Sequence, residues 1–188
     1  TTEIYTLSLH DALPISVNKD RPMKADAGKF HVVSRVWHDG DRIMLTLPMK
    51  LRTQRRFNGS VSIHRGPLTF SLLIGAMWKQ IKGEAPACDY EVRPTSPWNY
   101  ALAIDPARPE QSLKVEERGV KMPCFTELKA PVVITAKARK VTSWTIEGGS
   151  AAPPPESPVA TQEPVEDVTL VPYGAAKLRI TEFPIAKG

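Results

Sequence analysis

The run Arg42-Ile43-Met44-Leu45-Thr46-Leu47-Pro48, entered through Trp37-His38-Asp39-Gly40-Asp41, decides the fold class. Ile43, Leu45 and Leu47 recur at every second residue with Met44 and Thr46 between them. That is the period of a strand, in which alternate side chains face opposite ways, and not the period of a helix. Asp39-Gly40, lying between this run and the near-alternating stretch 30–35, predicts a hairpin turn. Working outward, Val61-Ser62-Ile63-His64-Arg65 alternates again, and Gly66-Pro67 separates it from the apolar stretch 68–74. Gly75 then permits a turn, so residues 77–81 are expected to return as a short partner strand. Further strands are expected at 113–117, 132–138, 140–146, 168–172 and 178–183. Pro131 stands at the start of the second of these, where a missing backbone donor is tolerated.

Two stretches break the period. Residues 83–109 are rich in proline, which fixes φ and removes a donor, so they are expected to run as ordered loop or edge structure. Residues 148–164, GGSAAPPPESPVATQEP, carry too little apolar surface to offset the entropy of ordering them. An exposed loop between two strands is expected there. Short strands, frequent Gly and Pro turn signals and the lack of a convincing amphipathic helix together predict an all-β fold, an antiparallel β-sandwich with a long Pro-rich loop.

The first residues read differently. Residues 1–15, TTEIYTLSLHDALPI, back-translate in one frame to a common sequencing-adapter oligonucleotide. They have no Lys or Arg, and His10, Asp11 and Pro14 interrupt any apolar stretch, so they do not form a secretory signal. Residues 1–16 are therefore expected to be an adapter-derived artefact with Ser16 as the junction, and the natural sequence is expected to begin near Val17, with more of it upstream. On this reading His10 and Asp11 are no catalytic pair. Taking Glu3 and Asp11 out of the formal charge of +5 leaves +7 on the remainder. The basic residues are scattered, and the densest group, Lys50, Arg52, Arg55 and Arg56, reads as a solvated loop after a strand. No nucleic-acid partner is expected from that distribution. No apolar run approaches the ~20 residues of a membrane-spanning helix, so no membrane partner is expected.

Chemistry-bearing residues are few. Cys88 and Cys124 are too few for a disulfide scaffold; two half-buried free thiols are expected in preference to a bridge. His31, His38 and His64 have no Cys, Asp or Glu at ligand spacing, and no metal site is expected. Asp39 and Asp41 belong to a turn, and Glu116 and Glu117 would point to opposite faces of one strand, so neither pair suits acid–base work on a sugar. The best candidate surface is Trp98, Asn99 and Tyr100: an aromatic ring stacks on the apolar face of a sugar while an amide bonds its hydroxyls. The competing expectation is that Trp98 and Tyr100 anchor the Pro-rich loop by packing, as Trp37, Trp144 and Tyr173 are expected to pack elsewhere.

Four segments occur in a telling order: RVWHDGDRIMLTLPMKLR (35–52), IHRGPLTFSL (63–72), DYEVRPTSPWNYAL (89–102) and VTLVPYGAAKLRITEFP (168–184). Together they resemble the carboxy-terminal region of glycoside hydrolase family 127, the β-L-arabinofuranosidase-like enzymes. The resemblance implies a parent with a catalytic (α/α)6 barrel followed by β-sandwich domains, and a cysteine nucleophile in a zinc-thiolate site built from Glu-x-Cys and a Cys-Cys pair. Neither motif occurs here; Cys88 sits in Ala-Cys-Asp and Cys124 in Pro-Cys-Phe. What the resemblance implies for this chain is therefore a non-catalytic accessory region with no cofactor of its own. Residues 17–75 would close one sandwich and 76–188 would form a second. The expected partners are the missing barrel of the same chain, a carbohydrate, and a second copy in a homo-oligomer.

Overall fold

Period two becomes strand where the stretch finds a neighbour that completes its backbone hydrogen bonds. The computed structural model describes residues 13–26, 31–124 and 126–188. They fall into two units, Thr1–Met49 and Lys50–Gly188. A division was expected at Gly75; strand residues on both sides of it hydrogen-bond within one sheet, as described below.

In the first unit β1 (Leu13–Val17) lies between β2 (Met23–Ala25) and β3 (Ile43–Leu45), antiparallel to both. Ile15 and Val17 share a face of β1 and are buried. Residues 13–16, expected to stand outside the fold as adapter-derived sequence, thus form most of the central strand. Pro14-Ile15-Ser16-Val17 alternates, and an alternating stretch pairs whatever its origin. His10 and Asp11 lie outside the described residues. The Asp39-Gly40 turn forms: Asp41 N–H donates to the His38 carbonyl at 3.1 Å, and Gly40 adopts φ +87°, a value that favours glycine. Its hairpin partner differs from the expectation. β3 pairs with β1, and residues 31–35 carry no strand ladder among the described residues, although His31, Val33 and Arg35 are half-buried and Val32 and Ser34 exposed; Phe30 lies outside the described residues.

The second unit holds β4 (Leu51–Arg55), β5 (Val61–Arg65), β6 (Leu68–Leu72), β7 (Ala76–Glu84), β8 (Ala87–Pro94), β9 (Tyr100–Leu102), the short helix α1 (Pro109–Ser112), β10 (Leu113–Glu117), β11 (Val132–Lys140), β12 (Ile146–Glu147), β13 (Ser150–Ala151) and β14 (Val165–Pro172). An antiparallel sheet runs β10-β11-β14-β6-β5-β4, with β9 also on β11. Leu72 of β6 lies opposite Leu170 of β14, which puts residues on either side of Gly75 in one sheet. The sheet curls: Arg65 at the end of β5 pairs with Glu117 of β10, and Thr53 on β4 donates to the Pro106 carbonyl at 2.7 Å. The all-β, sandwich-like architecture agrees with the sequence reading.

The alternation sorts side chains between two faces. Val61 and Ile63, Phe70 and Leu72, Ile134 and Leu170 are buried in the main core, with Phe183 among them. On the other face Val133, Val171, Ala175 and Ala176 form a smaller cluster. Segment 180–187, where a strand was expected over 178–183, forms isolated bridges instead. Phe183 exchanges backbone bonds with Val61 at 2.8 and 2.9 Å, and the Ile180 carbonyl accepts Leu72 N–H at 2.9 Å. Farther on, Leu102 N–H reaches the Pro184 carbonyl at 2.8 Å and Val159 N–H the Ile185 carbonyl at 2.7 Å.

Three more expectations need correction. Residues 77–81 do not return along β6, because β7 pairs with β8, and the stretch 83–109, expected as ordered loop or edge structure, begins as a strand whose Cys88, Tyr90 and Val92 alternate with charged residues. The strand expected over 140–146 stops at Lys140, where Asn99 and a turn capture the chain. The loop 148–164 is partly held: Gly148-Gly149 make a two-residue hairpin turn at positive φ, and Val159 is buried.

Phe183 is fully buried, and its removal would leave a cavity between β5 and β6. Phe183→Ala is expected to cost about 3–5 kcal/mol, the range for large aromatic truncations in cores. Urea denaturation followed by tryptophan fluorescence checks this; a shift within ~0.5 kcal/mol of zero would contradict the role given to this segment.

Candidate functional site

The sequence candidates Trp98, Asn99 and Tyr100 lead into β9, and the local chain explains their roles. Tyr100 and Leu102 face the main core while Ala101 faces a second cluster with Val141, Trp144, Val159 and Ala186. Tyr100 is buried, and its phenol is pushed up to about 12 by burial first, then by the charge and hydrogen bond of Glu166. Asn99 donates both amide hydrogens to the turn after β11, to the Val141 carbonyl at 2.9 Å and the Trp144 carbonyl at 3.2 Å. Its own backbone carbonyl accepts Val141 N–H at 2.8 Å. Trp98 meets Trp144 edge to face, with ring centroids 5.2 Å apart and planes at 71°. Trp144 Nε1 in turn donates to the Ala152 carbonyl at 2.7 Å. The three candidates are thus brought together as a clamp that ties β9 to the turn after β11. Trp98 and Asn99 stay half-buried.

Val141 also borders a cleft of about 330 Å³ whose hydrogen-bonding groups come from Thr142, Ser143, Thr161, Gln162 and Glu163. Thr161 Oγ1 donates to the Lys140 carbonyl at 2.7 Å, and Arg139 Nη1 donates to the Glu163 carbonyl at 2.6 Å, so the 161–163 wall is tied to the end of β11. Hydroxyls, an amide and a carboxylate can bond the hydroxyls of a small polar ligand. No aromatic ring lines the cleft.

A second cluster lies on the outer face of β5 and β6. Ser62 Oγ and His64 Nε2 stand 2.8 Å apart, and Thr69 Oγ1 and His64 Nδ1 3.1 Å apart. The cause is register: Ser62 and His64 share a strand face, and the Gly66-Pro67 turn sets Thr69 opposite His64. The sequence signal was present in the i, i+2 spacing on an alternating strand. Burial lowers the imidazole below its ordinary value, and the positive charges of Arg52 and Arg56 lower it further. Ser62 is almost wholly covered, so this chain of bonds holds the hairpin together and presents no open nucleophile.

The other candidates are dispersed. Asp41 accepts the His38 backbone N–H at 3.0 Å and the Asn18 amide at 2.8 Å, which holds its carboxyl below the usual range and confirms the turn role. Glu116 bonds Arg118 at 2.7 Å, whereas Glu117 pairs with Arg65. His38 is exposed 4.0 Å from Asp41, and the Nε2 of His31 is buried without a partner among the described residues, as is the Nε1 of Trp37. Arg35 lies over the Trp37 ring at 5.5 Å. Cys88 on β8 and Cys124 are free and half-buried. Among the described residues no three His, Cys, Asp or Glu converge as metal ligands. No protein-family model, no curated protein and no solved structure matched this chain.

Two measurements follow from this geometry. Asn99→Ala leaves the Val141 and Trp144 carbonyls without their amide donor and is expected to cost about 1–3 kcal/mol in urea denaturation. Because the folded-state pKa of His64 is depressed, its contribution is present above about pH 6.5 and is lost as pH falls below that value. Urea midpoints of the native chain are expected to fall between pH 7.5 and 5.5 by more than those of His64→Gln. Equal slopes would remove His64 as the cause.

Proposed function

We propose that this chain is the non-catalytic accessory β-sandwich portion of a family 127-like glycoside hydrolase. Its parent would hydrolyse β-L-arabinofuranosides or related glycosides, and this portion would support the parent's catalytic barrel. The observation that carries the reading is the ordered set of four resembling segments ending in VTLVPYGAAKLRITEFP. That last segment supplies most of β14 and much of the chain that bonds β5, β6 and β9. This last part of the likeness thus falls where it bears on packing, as an accessory role requires. The carboxylates support the same reading: Asp41, Glu116 and Glu117 serve a turn and ion pairs, and none faces another across a space for a sugar.

The alternative is a carbohydrate-binding module using Trp98, Asn99 and Tyr100. What favours it is the polar cleft beside Val141, adjoining the clamp those residues build. Tryptophan fluorescence titrated with arabinose-containing oligosaccharides separates the two readings. A saturable change lost in Trp98→Ala supports binding, and a flat titration leaves the accessory role. The leading reading is tested by extending the source DNA upstream of Val17. A helical barrel with Glu-x-Cys and a Cys-Cys pair is expected, and a reading frame that starts near Val17 would overturn it. The chain alone is expected to leave aryl β-L-arabinofuranosides intact.

A further inference from the structure

The hairpin of β7 and β8 is nearly all exposed, and among the described residues no backbone hydrogen bond joins β8 to any segment except β7. Its register gives it two unlike faces. Trp78, Tyr90 and Val92 share one side, with the Trp78 and Tyr90 rings edge to face at 5.7 Å. Lys79, Glu91, Arg93 and Asp89 lie on the other. Trp78 and Tyr90 are each about half exposed. A lone two-stranded hairpin is marginal in water, and a free strand edge is a row of unpaired donors and acceptors.

The two edges are not equivalent. β7 is broken by a bulge between Gln80 and Lys82 and carries Lys79 and Lys82. Bulges and edge lysines are the devices that stop a strand from recruiting another. The shift lies wholly in β7, so β8 is regular, and its sequence is complementary to itself run backwards. Antiparallel pairing of two copies about a two-fold axis at Glu91 sets Asp89 opposite Arg93 of the second copy. It sets Tyr90 opposite Val92 of the second copy, and each pair occurs twice. Glu91 then faces its own counterpart, with its charge already met by Arg93 Nη2 at 2.7 Å and by Lys79 opposite it on β7. The two apolar faces join on one side of the resulting sheet.

We propose that β8 is a homodimer interface, through which two copies of this chain pair edge to edge into a four-stranded antiparallel sheet. The inference rests on the hairpin alone and is independent of the glycosidase reading. Its test uses the full chain with Cys88→Ser and Cys124→Ser as background. Residues opposed across such a pair have Cα atoms ~4.5–5.5 Å apart, within reach of a disulfide. Under mild oxidation Glu91→Cys is expected to give a covalent dimer, while Lys79→Cys on the guarded strand stays monomeric on a non-reducing gel. By light scattering the unoxidised chain is expected to dimerise with concentration. Asp89→Arg should weaken the dimer about tenfold by setting like charges opposite each other twice. Adding Arg93→Asp to Asp89→Arg should restore it. A monomer at every concentration up to the solubility limit overturns the proposal. So does a dimer that Glu91→Cys does not trap, or one that Lys79→Cys traps equally well. Lys79, Asp89 and Arg93 are exposed, Cys88, Glu91 and Cys124 are half-buried, and none of them belongs to a core cluster, so the substitutions leave the core untouched.

Discussion

The second unit depends on main-chain hydrogen bonds made by one irregular segment, 180–187. β5 and β6 pair directly only near their turn, at His64 with Thr69 and Arg65 with Leu68. Beyond that point segment 180–187 supplies the partners, through Phe183 to Val61 and Ile180 to Leu72. The same segment then bonds Leu102 on β9 and Val159 in the stretch 148–164. Burying strands whose donors and acceptors lacked partners would cost more than their apolar contacts return. Phe183 and Pro184 sit fully buried at this crossing, so one short stretch provides both hydrogen bonds and core volume.

Polar residues near the core are used to hold chain to chain. Asn99 grips the turn after β11, Ser71 Oγ reaches the Ile180 carbonyl at 3.1 Å, and His64 links Ser62 to Thr69 across the β5–β6 turn. The first two join segments that are adjacent in space and far apart in sequence, and the third locks a local hairpin. The amide of Asn99, flanked by aromatic rings, takes part in this holding of chain to chain. The amide hydrogens that would meet a sugar hydroxyl are already bonded to Val141 and Trp144 carbonyls. The cleft beside Val141 keeps uncommitted polar surface because it lies past the clamp and not inside it.

Where the two units leave apolar surface open, the pattern is uneven. In the first unit Val36 and Met44 are strongly exposed, and the buried Nε2 of His31 and Nε1 of Trp37 lack partners among the described residues. In the second, the apolar side of the β7–β8 hairpin is matched by a charged side whose cross-strand pairs, Lys79 with Glu91 and Lys82 with Asp89, are of opposite sign. That matching keeps the hairpin in register without a core beneath it. It also separates a guarded edge from an unguarded one within the same two strands.

The sequence by itself determined the strand class and many boundaries. Val61–Arg65 and Leu113–Glu117 were legible to the residue, because alternation with one buried face leaves only one register of inward side chains. The Asp39-Gly40 turn was legible for the same local reason, glycine's access to positive φ. Pairing partners were not. Period two says which way side chains point and nothing about which strand lies alongside, so β3 took β1 and β7 took β8 where other partners were expected. Proline misled at 87–94, where its density hid an alternating strand. Of the candidate site, the residue types at 98–100 were legible, whereas their use was decided by tertiary structure alone. Only folding brings the Val141 and Trp144 carbonyls, more than 40 residues away, within reach of the Asn99 amide. A donor already bonded there is no longer available to a ligand.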